Sequence, residues 1–166
     1  MNFSQIETPL GPMLAIANTS ALYSLEFIDD NGVEAKIDEW RKKVKLDIIE
    51  GRTDPINSIE NELKLYFNHK LKEFKTPLYC VGSPFQKSVW KELTKIPFGK
   101  TISYADLATK IQKPSAFRAV GNANGSNNIW IVIPCHRVIN SNGNLGGYAG
   151  GLERKKWLLQ HEAGNA

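Results

Sequence analysis

The sequence predicts an α+β protein in two parts. A small N-terminal α/β domain, a short antiparallel sheet plus helices over residues 1–80, precedes a mostly helical C-terminal domain over 81–166 with a winged-helix-like helix-turn-helix. Three observations carry this expectation. Short alternating apolar runs fill the first quarter, apolar residues recur at helical spacing after Pro55, and charge divides between the halves. Residues 1–80 hold ten Lys/Arg against thirteen Asp/Glu, a net charge of −3, whereas residues 81–166 hold eleven against four, a net charge of +7. A basic half beside an acidic one is the charge footprint of a nucleic-acid-binding domain with a non-binding companion, although a merely soluble basic surface fits the charge equally well.

In chain order, Phe3 to Ile6, Met13 to Ala17 and Leu22 to Phe27 read as strands, the first two joined by a Pro9-Leu10-Gly11-Pro12 turn. Val33 to Leu46 reads as an exposed helix. Ile56, Ile59, Leu63, Tyr66 and Phe67 give a second helix after Pro55. Lys75-Thr76-Pro77 and Gly82-Ser83-Pro84 bracket an expected linker. Beyond it, Ser83 is an N-cap with Pro84 at the first helical position, and Phe85, Val89 and Leu93 share a face. Ile96-Pro97-Phe98-Gly99 ends that helix. Ser103 caps the next, which carries Leu107, Ala108 and Ile111. Ser115 is expected to cap a third that runs towards Asn124-Gly125, completing the helix-turn-helix. Ala116, Ala119, Gly121 and Ala123 leave this third helix little bulk, with Arg118 among them. Small residues allow close approach, either to a neighbouring helix or to a narrow minor groove, and Arg118 favours the groove.

Ile131-Val132-Ile133-Pro134-Cys135-His136-Arg137-Val138 is an apolar run, read as a buried strand, that halts at a proline and then presents a thiol beside an imidazole. A free thiol is only about 3% thiolate at neutral pH, so a nucleophilic cysteine needs a base or a cation nearby. In an extended strand Cys135 and His136 would face opposite ways; a turn after Pro134 is what lets them cooperate. Taken alone, the octapeptide reads more readily as core packing. The glycine-rich stretch from Gly143 to Gly151 has no Lys-Ser/Thr to make it a phosphate cradle. A last helix follows, anchored by Trp157 and Leu158 and ending in His161-Glu162.

The order of these pieces resembles one family, the O6-alkylguanine-DNA alkyltransferases (methylated-DNA–protein-cysteine methyltransferases). The matching stretches are Phe85-Gln86 with Val89-Trp90, Ile96 to Gly99, Ser103-Tyr104 with Leu107-Ala108, Arg118 to Gly121, and Ile133 to Val138. They continue through Gly147 to Leu152, then Lys155, Trp157 to Leu159 and His161-Glu162. The likeness covers residues 82–162; residues 1–80 match in general character.

The resemblance implies a methylated-DNA–protein-cysteine S-methyltransferase that takes O6-alkylguanine, with O4-alkylthymine the second candidate, from double-stranded DNA after flipping the base out of the stack. It assigns Cys135 as nucleophile, His136 as base through a water, and Glu162 as the group that orients it. Tyr104 is implied to stabilise the departing guanine, with Lys155 a lesser contributor, and Asn127 to brace the active-site turn. Arg118 is implied to fill the vacated stack, with Ala116, Phe117, Ala119, Gly121, Asn122, Asn124 and Arg137 also at the DNA. The Val138 carbonyl and the Ala149 amide are implied to read the base edge, with Trp130, Tyr148 and Gly150 at the pocket wall. A thioether product with no resolving cysteine makes the reaction run once per molecule.

The chain departs from the family pattern at Asn127-Asn128, where many relatives have Asn-Pro, at the aromatic Phe117, and at the large Trp130. It also lacks the N-terminal Cys/His set that binds zinc in some relatives, so no metal and no cofactor are expected. Two other classes fit parts of the chain. A papain-like thiol hydrolase pairs Cys with His but needs no basic helix-turn-helix half, and a non-reactive alkyltransferase-like damage-binding protein would lack Cys135.

Composition adds bounds. Apolar content of 42% and charged content of 23% are those of a globular chain. No apolar stretch reaches the length of a membrane span and the N-terminus lacks a signal-peptide pattern. The expectation is therefore a monomer with no membrane partner, cytoplasmic, or nuclear in a eukaryote, with Cys80 and Cys135 reduced.

Overall fold

The computed structural model describes residues 1–28, 30 and 32–164. The chain divides into two compact units, residues 1–79 and 80–166.

The first unit is a four-stranded sheet in the order β3-β2-β1-β4 with two helices. β1 (Asn2–Ile6), β2 (Met13–Ala17) and β3 (Leu22–Phe27) form an antiparallel meander with Ile6 opposite Met13 and Met13 opposite Phe27. These are the runs expected as strands. β2 is buried at all five positions, as its unbroken apolar sequence requires of a central strand. β4 (Ile49–Glu50), which the sequence reading missed, adds two residues parallel to β1. α1 (Gly32–Val44) buries Ile37 and Trp40, exposes Glu34, Asp38, Glu39, Lys42 and Lys43, and leaves Lys36 and Arg41 half-buried. α2 (Asp54–Phe67) starts from Thr53, whose hydroxyl accepts from the Ile56 amide, and packs Ile56, Ile59, Leu63 and Tyr66 inward.

The expected linker is corrected in its first half. The Glu62 carboxylate accepts from the amides of Lys75 (2.6 Å) and Thr76 (2.7 Å) and from the Thr76 hydroxyl. Leu78 then bridges to Leu22, and Tyr79 stacks on Tyr23 with ring centroids 4.7 Å apart. Residues 75–79 are thus tied into the first unit by a carboxylate and by the edge of β3.

In the second unit, α3 (Pro84–Leu93) opens with a full capping box between Ser83 and Gln86, and α4 (Tyr104–Lys110) with one between Ser103 and Asp106. α5 (Phe117–Gly125) has Ala116 at its N-cap and no side-chain cap. Ser115 is therefore not the cap expected of it: the chain is still turning there, with the Ala116 amide bonded to the Lys113 carbonyl. The Trp90 indole donates to the Ala123 carbonyl at 2.8 Å and so binds α3 to α5. β5 (Ile102–Ser103) pairs in parallel with β6 (Val138–Ile139), and α6 (Leu152–Glu162) closes the unit.

The run Ile131 to Ile133 is not the buried strand expected. It is a sequence of tight turns in which the Ile133 amide bonds back to Ile129 and Ile131 takes a φ of 72°. Ile131 and Ile133 are buried and Val132 half-buried, but the backbone groups that a strand would pair are taken up locally. No described helix is long and apolar enough to cross a membrane.

Candidate active site

Asn127 builds the thiol's turn. Its Oδ1 accepts from the Ile129 amide at 2.9 Å, while its Nδ2 donates to the Ile133 carbonyl at 2.9 Å and to the Cys135 Sγ at 3.2 Å. One amide thus holds the left-handed turn at Ile131, costly for a β-branched residue, and points a donor at the sulfur. Pro134 then releases the chain into a 3₁₀ turn, Cys135–Arg137, in which all three side chains are buried.

Glu162, at the end of α6, accepts from both basic residues of this turn. His136 Nε2 lies 2.9 and 3.0 Å from its oxygens, and Arg137 reaches it through Nε at 2.6 Å and Nη2 at 3.0 Å. Arg137 Nη1 donates further to the Ile96 carbonyl at 2.7 Å. Burial would raise the Glu162 carboxyl, but the hydrogen bonds and charges of His136 and Arg137 outweigh it and hold the group at about 2. Burial lowers His136 against the pull of Glu162, which favours the neutral ring. With Nε2–H given to the carboxylate, Nδ1 carries the lone pair. It is buried and has no hydrogen-bond partner among the described residues. Burial likewise pushes the Cys135 thiol up to about 11, against the Asn127 amide and the Lys155 charge.

Lys155 is fully buried on α6. Its ammonium donates to the carbonyls of Val138 (2.7 Å), Leu145 and Gly147 (3.0 Å), so all three protons go to backbone. Burial pulls it down to about 8. The clamp fixes the glycine-rich loop beside β6. Gly146 takes a φ of 72°, which favours glycine, and a Cβ there would stand 3.2 Å from the Tyr104 hydroxyl, so glycine lets the loop pass close to the phenol without strain. The result is a cavity of about 380 Å³ lined by Tyr104, Gly121, Asn124, Cys135, Tyr148 and Ala149 among others. A buried nucleophile beside a carboxylate-supported imidazole, opening on a cavity of nucleobase size, can attack a small electrophile brought to it from outside.

Two family models match end to end. That for the 6-O-methylguanine DNA methyltransferase ribonuclease-like domain matches residues 1–80, and that for the DNA binding domain of the same protein matches residues 84–164. The chain belongs to the 6-O-methylguanine DNA methyltransferase family. It is 42% identical over 165 residues to a methylated-DNA–protein-cysteine methyltransferase of Methanosarcina mazei, covering 99% of each chain. It is 43% identical over 162 residues to one from Shigella flexneri, covering 95% of this chain and 93% of that one. The crystal structure of Mycobacterium tuberculosis OGT in complex with DNA superposes with a TM-score of 0.85 at 36% identity, over 100% of this chain and 95% of that one.

Of the residues the family resemblance singled out, the structure gathers two hydrogen-bonded pairs on one turn, Asn127 with Cys135 and Glu162 with His136, and places Tyr104, Tyr148 and Ala149 at the cavity. Phe117, Arg118, Ala119 and Asn122 are exposed on α5, and Ala116 and Gly121 are half-buried. Other expectations are corrected. Arg137 does not face DNA: it is 6% exposed, and its guanidinium is used by Glu162 and Ile96. Asn124 is turned inward, 4% exposed, donating to the Cys135 carbonyl, and Ala123 packs inward with it. Helical periodicity puts both on the face opposite the exposed Arg118 and Asn122.

Trp130 is not at the cavity wall. Its indole donates to the Asn127 carbonyl at 2.7 Å and lies behind Tyr148, with centroids 6.0 Å apart; Gly150 sits behind the same ring. The Val138 carbonyl is engaged by Lys155, and Lys155 has no proton left for a base. Arg137 as the second partner of Glu162 was missed, although an arginine beside the histidine of a buried turn needs a carboxylate, and the basic half has only four.

Proposed function

We propose that the protein repairs DNA by transferring the alkyl group of O6-alkylguanine irreversibly to the Sγ of Cys135. The observation that carries this reading is the buried Cys135 thiol. It receives an Asn127 amide and adjoins His136, whose far nitrogen is tied to Glu162. At rest the pair is neutral: burial keeps the proton on sulfur and off the imidazole, so His136 is available as a base. As the Sγ–carbon bond forms, His136 Nδ1 takes the thiol proton with a water as relay, and Glu162 stabilises the imidazolium. The carbon–O6 bond breaks and its electron pair stays on guanine. Tyr104 supplies a proton to the departing base, then regains one from solvent as His136 loses its own.

Flipping costs a few kcal/mol, which filling of the gap by the exposed Arg118 offsets; the small residues of α5 allow its backbone into the minor groove. The Ala149 amide and the second lone pair of the Val138 carbonyl then read the base edge. In this reading residues 81–166 bind DNA and react, while residues 1–80 serve as scaffold. The protein works as a single chain in the cytoplasm, or in the nucleus of a eukaryote.

Incubation with excess duplex carrying labelled O6-methylguanine should place one methyl group per protein, on Cys135, and Cys135→Ser should take none. More than one equivalent of repaired guanine per protein would overturn single use, and label elsewhere would overturn the nucleophile.

A further inference from the structure

Arg137 and His136 draw on the same two oxygens. The Arg137 fork places Nε 2.6 Å from Oε1 of Glu162 and Nη2 3.0 Å from Oε2, while His136 Nε2 lies 3.0 and 2.9 Å from the same pair. Nη1 turns the other way, to the Ile96 carbonyl at 2.7 Å, and the guanidinium lies over the Phe98 ring, 5.8 Å from its centroid. Every guanidinium nitrogen is committed, and the three side chains of the group are buried together. The fork therefore spans from the end of α6 to the segment after α3 and holds the carboxylate in one plane.

Charge decides what this does to the imidazole. The charged and titratable groups facing His136 are Glu162 and Lys155 from α6 and, on its own turn, Arg137 and the Cys135 thiol; Ile96 brings a carbonyl only. An imidazole with a buried carboxylate to itself is drawn towards the imidazolium, which has no lone pair left for a thiol proton. Arg137 already balances this carboxylate. The group of Arg137, Glu162 and His136 is neutral while the ring is neutral, and a proton on the ring adds an unbalanced buried charge. A proton passed on from Nε2 to the carboxylate fares no better, since it would strand the guanidinium opposite a neutral acid.

We infer that Arg137 is a positioning residue for the transfer: by taking both oxygens of Glu162 it keeps the carboxylate charged and closed to the imidazole proton, and its own charge holds His136 neutral until the thiol proton arrives. Burial does most to lower His136, and the Arg137 and Lys155 charges act in the same direction against Glu162. The charge on the ring is then balanced only while the displaced electron pair gathers on guanine, which ties proton transfer to the breaking of the carbon–O6 bond. This inference rests on the reading of His136 as the base for Cys135.

The test compares the single-turnover rate of methyl transfer from duplex DNA across pH 5 to 9 with the titration of the His136 ring, followed by NMR in the free protein. Arg137→Met should move the acid midpoint of both upwards by about one pH unit, so that well below it transfer is about tenfold slower than in the wild type. Arg137→Lys keeps the charge and should keep the wild-type midpoint even where its rate is lower. Arg137→Gln should behave as the methionine variant does, and serves if that one does not fold. An equal loss of rate at every pH, with the His136 titration unmoved, would leave Arg137 a purely structural part and overturn the inference while His136 remained the base. A wild-type rate in His136→Gln would overturn the reading of His136 and the inference with it.

Discussion

Each unit buries a glutamate near a loop, and the two are used in opposite ways. Glu62 in the first unit accepts from two backbone amides and a threonine hydroxyl, none of which titrates in the ordinary range. Glu162 in the second accepts from an imidazole and a guanidinium on adjacent residues. The first carboxylate fixes the path of the chain. The second fixes a charge and, through it, the tautomer and basicity of a neighbour. The same side chain is scaffold or machinery according to whether its donors are main chain or titratable side chains.

The largest effect that could break this comparison is on rate. Glu162→Gln should slow methyl transfer by about a hundredfold or more, the usual scale for a compromised general base. Glu62→Gln should lower the unfolding temperature by several degrees and leave the rate per folded molecule unchanged. Comparable rate losses in the two variants would show that Glu162, too, is only scaffold.

Next in size is acid stability. The folded carboxyl of Glu162 sits at about 2 against an ordinary 4.5, so its contribution is complete above pH 4.5 and is lost as the pH falls towards 2. On linkage this is on the order of 3 kcal/mol. Urea unfolding of the wild type between pH 6 and 2 should lose stability over that window, and Glu162→Gln should flatten the slope. Parallel profiles for the two proteins would remove the ion-pair account.

Much of this was legible in the sequence because local rules and tertiary structure agree. Ser83 and Ser103 cap helices by bonds that reach only three residues, and β1 to β3 are short apolar runs parted by turn residues, which pair in chain order as a meander. Ile131 to Ile133 misled because a buried apolar run looks alike as strand or as turns; what decides between them is Asn127, four residues upstream of Ile131, capturing their backbone groups. β4 is two residues long and exposed, too short for any period. At the site, the thiol, imidazole and carboxylate were legible from the family pattern. The partners of Arg137, Asn124 and Lys155 were not, because nothing in a sequence fixes which way a polar side chain on a partly buried helix turns.

Lys155 sharpens the comparison from the other side, since it lies in the reactive unit yet, like Glu62, bonds to no titratable group, its ammonium being held by backbone carbonyls. Lys155→Met should cost about tenfold in transfer rate, by analogy with the loss of a buried hydrogen-bonding group, through disorder of the loop. Amide exchange in residues 143–151 should rise with it. Lys155→Arg should not rescue, because a planar guanidinium cannot meet three carbonyls converging on one point. A slow variant with an unchanged loop would assign Lys155 a direct part in the chemistry.

The smallest expected effect concerns Trp130. Its ring lies behind Tyr148 and its indole nitrogen bonds to the Asn127 carbonyl, so it supports the wall of the cavity without forming it. Trp130→Phe keeps an aromatic surface against Tyr148 and removes one hydrogen bond, at a cost of about 1 kcal/mol in stability. The ratio of rates for O6-benzylguanine and O6-methylguanine should stay as in the wild type, since the space available to the alkyl group is set by Tyr104, Tyr148 and the glycine-rich loop. Stopped transfer assays with both substrates decide it. A marked gain for the benzyl substrate, with the methyl rate unchanged, would return Trp130 to the cavity wall as a gate. It would also mean that a residue set behind the wall can govern specificity, against the supporting part that its bond to the Asn127 carbonyl and its contact with Tyr148 give it.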